Sequence, residues 1–217
     1  MRVTLFGGHG KIALILAPML VDAGHEVTSV VRNPDHVADI EATGATALVS
    51  SVEDADADTL VALLSGQDAV VWSAGAGGGN PDRTYAVDRD AAIRSMDAAA
   101  AAGANRYVMV SFSGSFPDAR VPQDNPFRHY QDAKIAADEH LRSSGLDWTI
   151  LAPGTLTREP GGGTVNPQAR FRDGDVTSRE LVAQVALAVL EDSRASRRTL
   201  LFGDGDVPID DWLGSLA

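Results

Sequence analysis

Seven short, almost wholly apolar runs recur along this 217-residue chain, each separated from the next by a longer segment of helical period. They lie at residues 3–6, 27–31, 46–49, 69–72, 107–110, 148–151 and 199–202. A strand that is apolar on both faces is one covered on both faces, and strand–helix alternation makes the pairing parallel. Helical segments are expected at 10–23, 34–43, 58–65, 82–102, 127–144 and 178–192. Gly24, Gly66, Gly103 and Gly145 stand just past four of them, where a left-handed residue commonly ends a helix. The pattern predicts an α/β fold: a doubly wound parallel sheet of about seven strands with helices on both faces, in one domain spanning residues 1–217. Loops at 75–83, 113–126 and 154–175 follow strands at their carboxyl ends, where open α/β sheets bind ligands. The segment 154–176 is expected to form a small, loop-rich C-terminal lobe capping a substrate.

The first strand runs directly into Gly7-Gly8-His9-Gly10-Lys11-Ile12-Ala13, a tight turn that opens a helix. Gly7 permits the turn, Gly10 lets backbone N–H groups approach a pyrophosphate, and Ala13 is small enough to pack the helix on the strand. The spacing is G-x-x-G-x-x-A in a strand–turn–helix context, which makes the fold Rossmann-type and the loop a dinucleotide site. Gly7, Gly8, His9, Gly10, Lys11 and Ile12 are its candidate cofactor contacts. Lys11 either adds charge near the phosphates or is a solvated surface residue.

The second strand ends Val30-Val31-Arg32-Asn33-Pro34, with no carboxylate to bind a ribose 2′-hydroxyl. An arginine there suits a 2′-phosphate, so NADP(H) is favoured over NAD(H).

Tyr130 and Lys134 are four residues apart in a predicted helix and share its face. A nearby ammonium lowers a phenol's pKa and fits it for acid catalysis. With sixteen arginines and only two lysines in the chain, lysine at this position calls for a specific reason. Ser111 and Ser113 follow the fifth strand, and either hydroxyl is a candidate to bond a substrate carbonyl and complete a Ser–Tyr–Lys set.

Other chemistries are disfavoured. The chain has no cysteine, and its net charge of −12 repels nucleic-acid phosphates. No apolar run reaches the ~20 residues that span a bilayer, and the N-terminus lacks a signal-peptide pattern, so a cytoplasmic location is expected. The run at 53–58 lacks the glycine and glutamate of a calcium loop, and no metal is expected. The partner is a small molecule, and the protein is a monomer or homodimer.

These residues resemble the short-chain dehydrogenase/reductase superfamily, specifically its small atypical, NmrA-like and flavin–biliverdin reductase-like members. The resemblance runs over essentially the whole chain. It includes the glycine loop, Val30-Val31-Arg32-Asn33-Pro34, the block 68–75, Arg106-Tyr107-Val108-Met109-Val110-Ser111, Tyr130 with Lys134, and the block 144–154. It implies that Ala74, Gly75 and Ala76 pass near the cofactor ribose, that Lys134 binds the nicotinamide ribose, and that Tyr130 donates the proton. It also implies that Ser111 or Ser113 contacts substrate and that the turn at Pro153, Gly154 and Thr155 borders the nicotinamide. Where many relatives carry an adenine-binding aspartate this chain has Ser51 and Val52, leaving a hydroxyl or backbone contact. Members reduce flavins, biliverdin, quinones or aldehydes, act as epimerase-like enzymes on sugar nucleotides, or sense redox state without turnover. The expectation is an NADP(H)-dependent oxidoreductase, with a non-catalytic sensor and an NAD-dependent epimerase/dehydratase as alternatives.

Overall fold

The computed structural model describes residues 1–78, 80–169 and 174–216. The first half runs β1 (Arg2–Phe6), α1 (Ala13–Asp22), β2 (Glu26–Val31), α2 (Val37–Glu41), β3 (Thr46–Val49), α3 (Ala57–Leu64) and β4 (Ala69–Trp72). Next come α4 (Pro81–Thr84), a π-helical stretch (Tyr85–Ala91), α5 (Ala92–Ala102), β5 (Arg106–Val110), α6 (Arg128–Ser143) and β6 (Asp147–Pro153). The chain closes with β7 (Thr155–Thr157), β8 (Thr164–Asn166), β9 (Val176–Ser178), α7 (Arg179–Glu191), β10 (Arg198–Asp204), β11 (Val207–Pro208) and α8 (Ile209–Gly214).

The main sheet has the order β11-β8-β10-β6-β5-β4-β1-β2-β3. All pairings from β3 to β10 are parallel, and these seven strands are the seven apolar runs. The expected count of about seven is corrected to nine strands in this sheet among the described residues. Two short antiparallel strands, β8 and β11, extend the β10 edge, and β7 pairs with β9 in a separate two-stranded sheet. Strands of two or three residues in a Gly- and Pro-rich stretch leave no periodicity to read. The 154–176 segment therefore carries β7, β8 and the first residue of β9, while its residues 170–173 lie outside the described ones.

Adjacent strand residues serve opposite faces. Val3, Leu5, Ala69 and Val71 pack in the core covered by α1 and α7; Phe6, Val70 and Trp72 pack in the core covered by α3, α5 and α6. Strand order reverses on either side of β1, which opens the crevice where such sheets bind ligands. Among the described residues no helix is long and apolar enough to cross a membrane.

The return of the chain after β6 depends on Gly154. A Cβ there would lie 2.4 Å from the Asp175 carbonyl oxygen, which is backbone and cannot step aside cheaply. Gly154→Ala is expected to cost about 1–3 kcal/mol by overpacking. Thermal melts should show a loss of roughly 2–4 °C per kcal/mol for a chain of this size; an unchanged melting temperature would show that the contact relaxes freely.

Candidate functional site

Glycine is required in the first loop by the protein's own packing. Gly7 has φ +79°, and a Cβ on it would sit 2.7 Å from the backbone of Ala74. A Cβ on Gly8 would meet Ser29 at 2.7 Å, and one on Gly10 the Gly7 carbonyl oxygen at 2.9 Å. The loop is thus wedged between the ends of β2 and β4. Gly8 N–H donates to the Val30 carbonyl and Gly10 N–H to that of Gly7, at 2.9 and 2.7 Å. Helix α1 then starts with no side-chain cap and no acidic residue in its first turn. Leu14 and Ile15 N–H donate to the carbonyls of Gly10 and Ile12 at 2.9 and 3.1 Å, so the N–H groups just ahead of them, at residues 11–13, are the ones placed to meet an anion.

A cavity of about 340 Å³ opens beside this loop, lined by Gly7, His9, Gly10, Arg32, Ser51 and Val52 among others. The hydroxyls of Ser51 and Ser73, both on its wall, are buried with no hydrogen-bond partner. Orphaned donors around a slot of this shape fit the sugar and base of a nucleotide. Arg32 is exposed and stands 3.4 Å from Glu53, whose carboxylate also accepts a bond from Arg83 Nε at 2.8 Å. Arg83 reaches on to the Ala76 carbonyl, tying the 75–78 loop to the same carboxylate. His9 stacks on His36 with ring centroids 3.6 Å apart and bonds Asp39 at 2.8 Å.

Residues 73–75 are shared with a second cavity of about 840 Å³. Helix α6 lines it with Tyr130 and Lys134, and Asp138, a further turn along the same stripe, lies buried behind them. Lys134 is only 1% exposed, and its Nζ donates to the Val110 carbonyl at 3.0 Å and lies 3.3 Å from Met109 Sδ. Asp138, wholly buried, accepts 2.6 Å bonds from the hydroxyls of Ser111 and Ser115. Burial pushes its carboxyl above the ordinary range, opposed by Lys134 and the two serines. Across the cavity stands Asp88, 3% exposed, on the π-helical stretch; it accepts a bond from Ala76 N–H at 3.1 Å. Burial raises Asp88 too, and Lys134 opposes the shift. A π-helical turn inside a longer helix is a recurrent mark of functional sites.

The phenol of Tyr130 differs from expectation. Burial, followed by the carboxylates of Asp88 and Asp138, pushes it well above the usual tyrosine value rather than below it. The Lys134 ammonium donates to the Val110 carbonyl, and its charge opposes the upward shifts of Asp88 and Asp138. Phe112 and Phe127 flank Tyr130, each ring centroid 5.3 Å from it, and Phe127 gives the cavity an apolar side.

Ile12, Ala74, Gly75, Ala76, Ser111, Tyr130 and Lys134 converge on the larger cavity. Ser111 lines it, whereas the Ser113 hydroxyl is buried without a partner and does not. The Ser111 hydroxyl donates to Asp138, which leaves its lone pairs, and not its proton, for a ligand. Gly8 packs on β2, and Pro153, Gly154 and Thr155 hold the start of β7 near Asp175; these four residues line neither cavity. The Lys11 side chain lines a different cavity, with Thr157 and Arg179. Asp88, Glu53, Arg83 and Asp138 were not anticipated. A carboxylate next to Val87 and three residues before Ala91, both buried, was the one available hint for Asp88.

A glycine-loop crevice joined to a Tyr–Lys cavity on a doubly wound sheet fits a protein that binds a nicotinamide dinucleotide. A family model described as NAD(P)H-binding matches residues 7–193, and the chain belongs to that family. A Bacillus subtilis protein named as the uncharacterized sugar epimerase YhfK is 35% identical, and the match covers 100% of both chains. A solved structure from Bacillus halodurans, provisionally described as an NAD-dependent epimerase/dehydratase, is 31% identical and superimposes with a TM-score of 0.89 over 99% of each chain. The anaerobilin reductase ChuY from Escherichia coli O157:H7 shares the fold at 20% identity, with a TM-score of 0.73 over 95% of this chain and 98% of that one.

Proposed function

We propose that the protein is an NADP(H)-dependent reductase of a small, partly apolar carbonyl, quinone or flavin-like acceptor, working as a monomer or homodimer. The observation that carries this reading is the convergence of Tyr130, Lys134 and Ser111 on a cavity that shares residues 73–75 with the glycine-loop cavity. Bound NADP(H) would supply the hydride. The α1 N-terminus would hold the pyrophosphate, Ser51 and Ser73 the adenosine end, and Arg32 the 2′-phosphate. Lys134 orients the ribose, and Tyr130 gives its phenolic proton to the acceptor oxygen. Phe112 and Phe127 keep water from the reacting face.

Calorimetric titration of NADPH and NADH into wild type and Arg32→Ala tests the cofactor assignment. NADPH should bind at least tenfold more tightly than NADH, about 1.4 kcal/mol, and the variant should lose that preference. Equal affinities in the wild type would reduce Arg32 to a partner of Glu53. A second reading, an epimerase or dehydratase holding NAD without net consumption, draws on the names of the B. subtilis and B. halodurans relatives. It predicts no stoichiometric oxidation of added NADPH by any acceptor.

A further inference from the structure

We propose that a third cavity, walled by the start of α1, the turn after β7 and the start of α7, is an oxyanion site. It would hold a carboxylate or phosphate group of the acceptor while the reducible end lies against Tyr130. This rests on the reductase reading above and narrows its substrate class to anionic acceptors.

The cavity measures about 440 Å³ and is lined by Lys11, Ile15, Thr157, Arg158 and Arg179, with two glutamates. Three cations around one hollow are unusual in a chain with 30 acidic and 18 basic residues. Most other described arginines illustrate the contrast: Arg2, Arg32, Arg83, Arg89, Arg106, Arg120, Arg128 and Arg194 all stand within ion-pair distance of a carboxylate. Among the described residues, no carboxylate pairs with Lys11, Arg158 or Arg179. Of the two glutamates, Glu180 accepts the Gly161 N–H at 3.0 Å, and Glu159 is exposed, as are Lys11 and Arg158.

The scaffold is built to keep the charges apart and facing the hollow. Arg179 donates to the Thr157 carbonyl at 2.6 Å and so fixes the end of β7 at the head of α7. Lys11 and Ile15 are one helical turn apart and share a side of the α1 start. Thr157 lines the hollow, and its hydroxyl is buried with no partner.

Position supplies the link to substrate. Ile12 and Leu156 line the Tyr130 cavity, and their immediate chain neighbours Lys11 and Thr157 line this one. The two hollows therefore back onto the same two chain segments. Neither the adenosine cavity nor the Tyr130 cavity shares a lining residue with the cationic one, and chain adjacency at 11–12 and 156–157 is what relates it to Tyr130.

The test is calorimetric titration of inorganic phosphate into NADPH-saturated protein, in wild type, Arg158→Glu and Lys11→Gln. Saturable binding is expected in the wild type, weakened at least tenfold in each variant, with the NADPH affinity of Arg158→Glu within twofold of wild type. Absence of saturable binding to the loaded wild type, or binding unchanged in both variants, overturns the site. Displacement of NADPH by phosphate, with NADPH affinity lost in Arg158→Glu, would assign the cations to the cofactor's own pyrophosphate and overturn it as well. Failure of wild type to bind NADPH at all would defeat the reductase reading, and phosphate titration of the unloaded protein would still decide whether the anion site exists.

Discussion

Asp138→Ala should lose about 3–5 kcal/mol of unfolding free energy, the usual cost of removing one member of a buried, hydrogen-bonded charge network. At roughly 2–4 °C per kcal/mol, the melting temperature should fall by about 6–20 °C. The physical reason is the number of groups left behind. The hydroxyls of Ser111 and Ser115 lose their shared acceptor, and the buried Lys134 loses one of its two neighbouring acids. Asp138→Asn keeps an acceptor for both serines and should cost far less. The pH dependence separates charge from shape. The folded pKa of Asp138 is raised, so the folded state binds the proton more tightly than the unfolded one. Its contribution to stability is therefore greatest below the unfolded value of about 3.9 and declines as pH rises toward the folded value. Denaturant unfolding at several pH values should show that decline in wild type and a shallower one in Asp138→Asn. Identical melts for Asp138→Ala and wild type would show that the network holds nothing together.

Tyr130→Phe should reduce NADPH-dependent reduction of an acceptor by 10²- to 10⁴-fold, the range for loss of a positioned general acid. NADPH affinity should stay within twofold, because the ring and its contacts with Phe112 and Phe127 are kept. The sharper test is the pH profile of the wild type. Burial and the carboxylates of Asp88 and Asp138 push the phenol up, so the proton-bearing form persists through neutral pH. Initial rates should hold level into the alkaline range and decline only above about 10, the ordinary tyrosine value. A decline between pH 7 and 9 would mean that the Lys134 ammonium dominates once cofactor is bound, the reverse of the balance in this structure.

Much of the arrangement was legible from local pattern. Seven apolar runs became the seven parallel strands, because a strand buried on both faces leaves an unbroken apolar signal whatever lies on it. The glycine loop was legible because a wedge between two strand ends tolerates no Cβ at Gly7 or Gly8. Tyr130 and Lys134 were legible because helical spacing alone aligns residues four apart.

What the sequence by itself determined, then, is the parallel core, the crevice beside β1 and the helix stripe carrying Tyr130 and Lys134, since each follows from contacts between residues close in the chain or from a burial pattern repeated along it. Tertiary structure alone decided the rest. It brought Asp88 and Asp138 against Lys134 from two sides and so reversed the expected effect on the Tyr130 phenol. It chose Ser111 over Ser113 for the cavity wall, joined Glu53 to both Arg32 and Arg83, and gathered Lys11, Arg158 and Arg179 around one hollow. Charge effects depend on through-space distance and burial, which positions widely separated along a chain acquire only when the sheet closes them together.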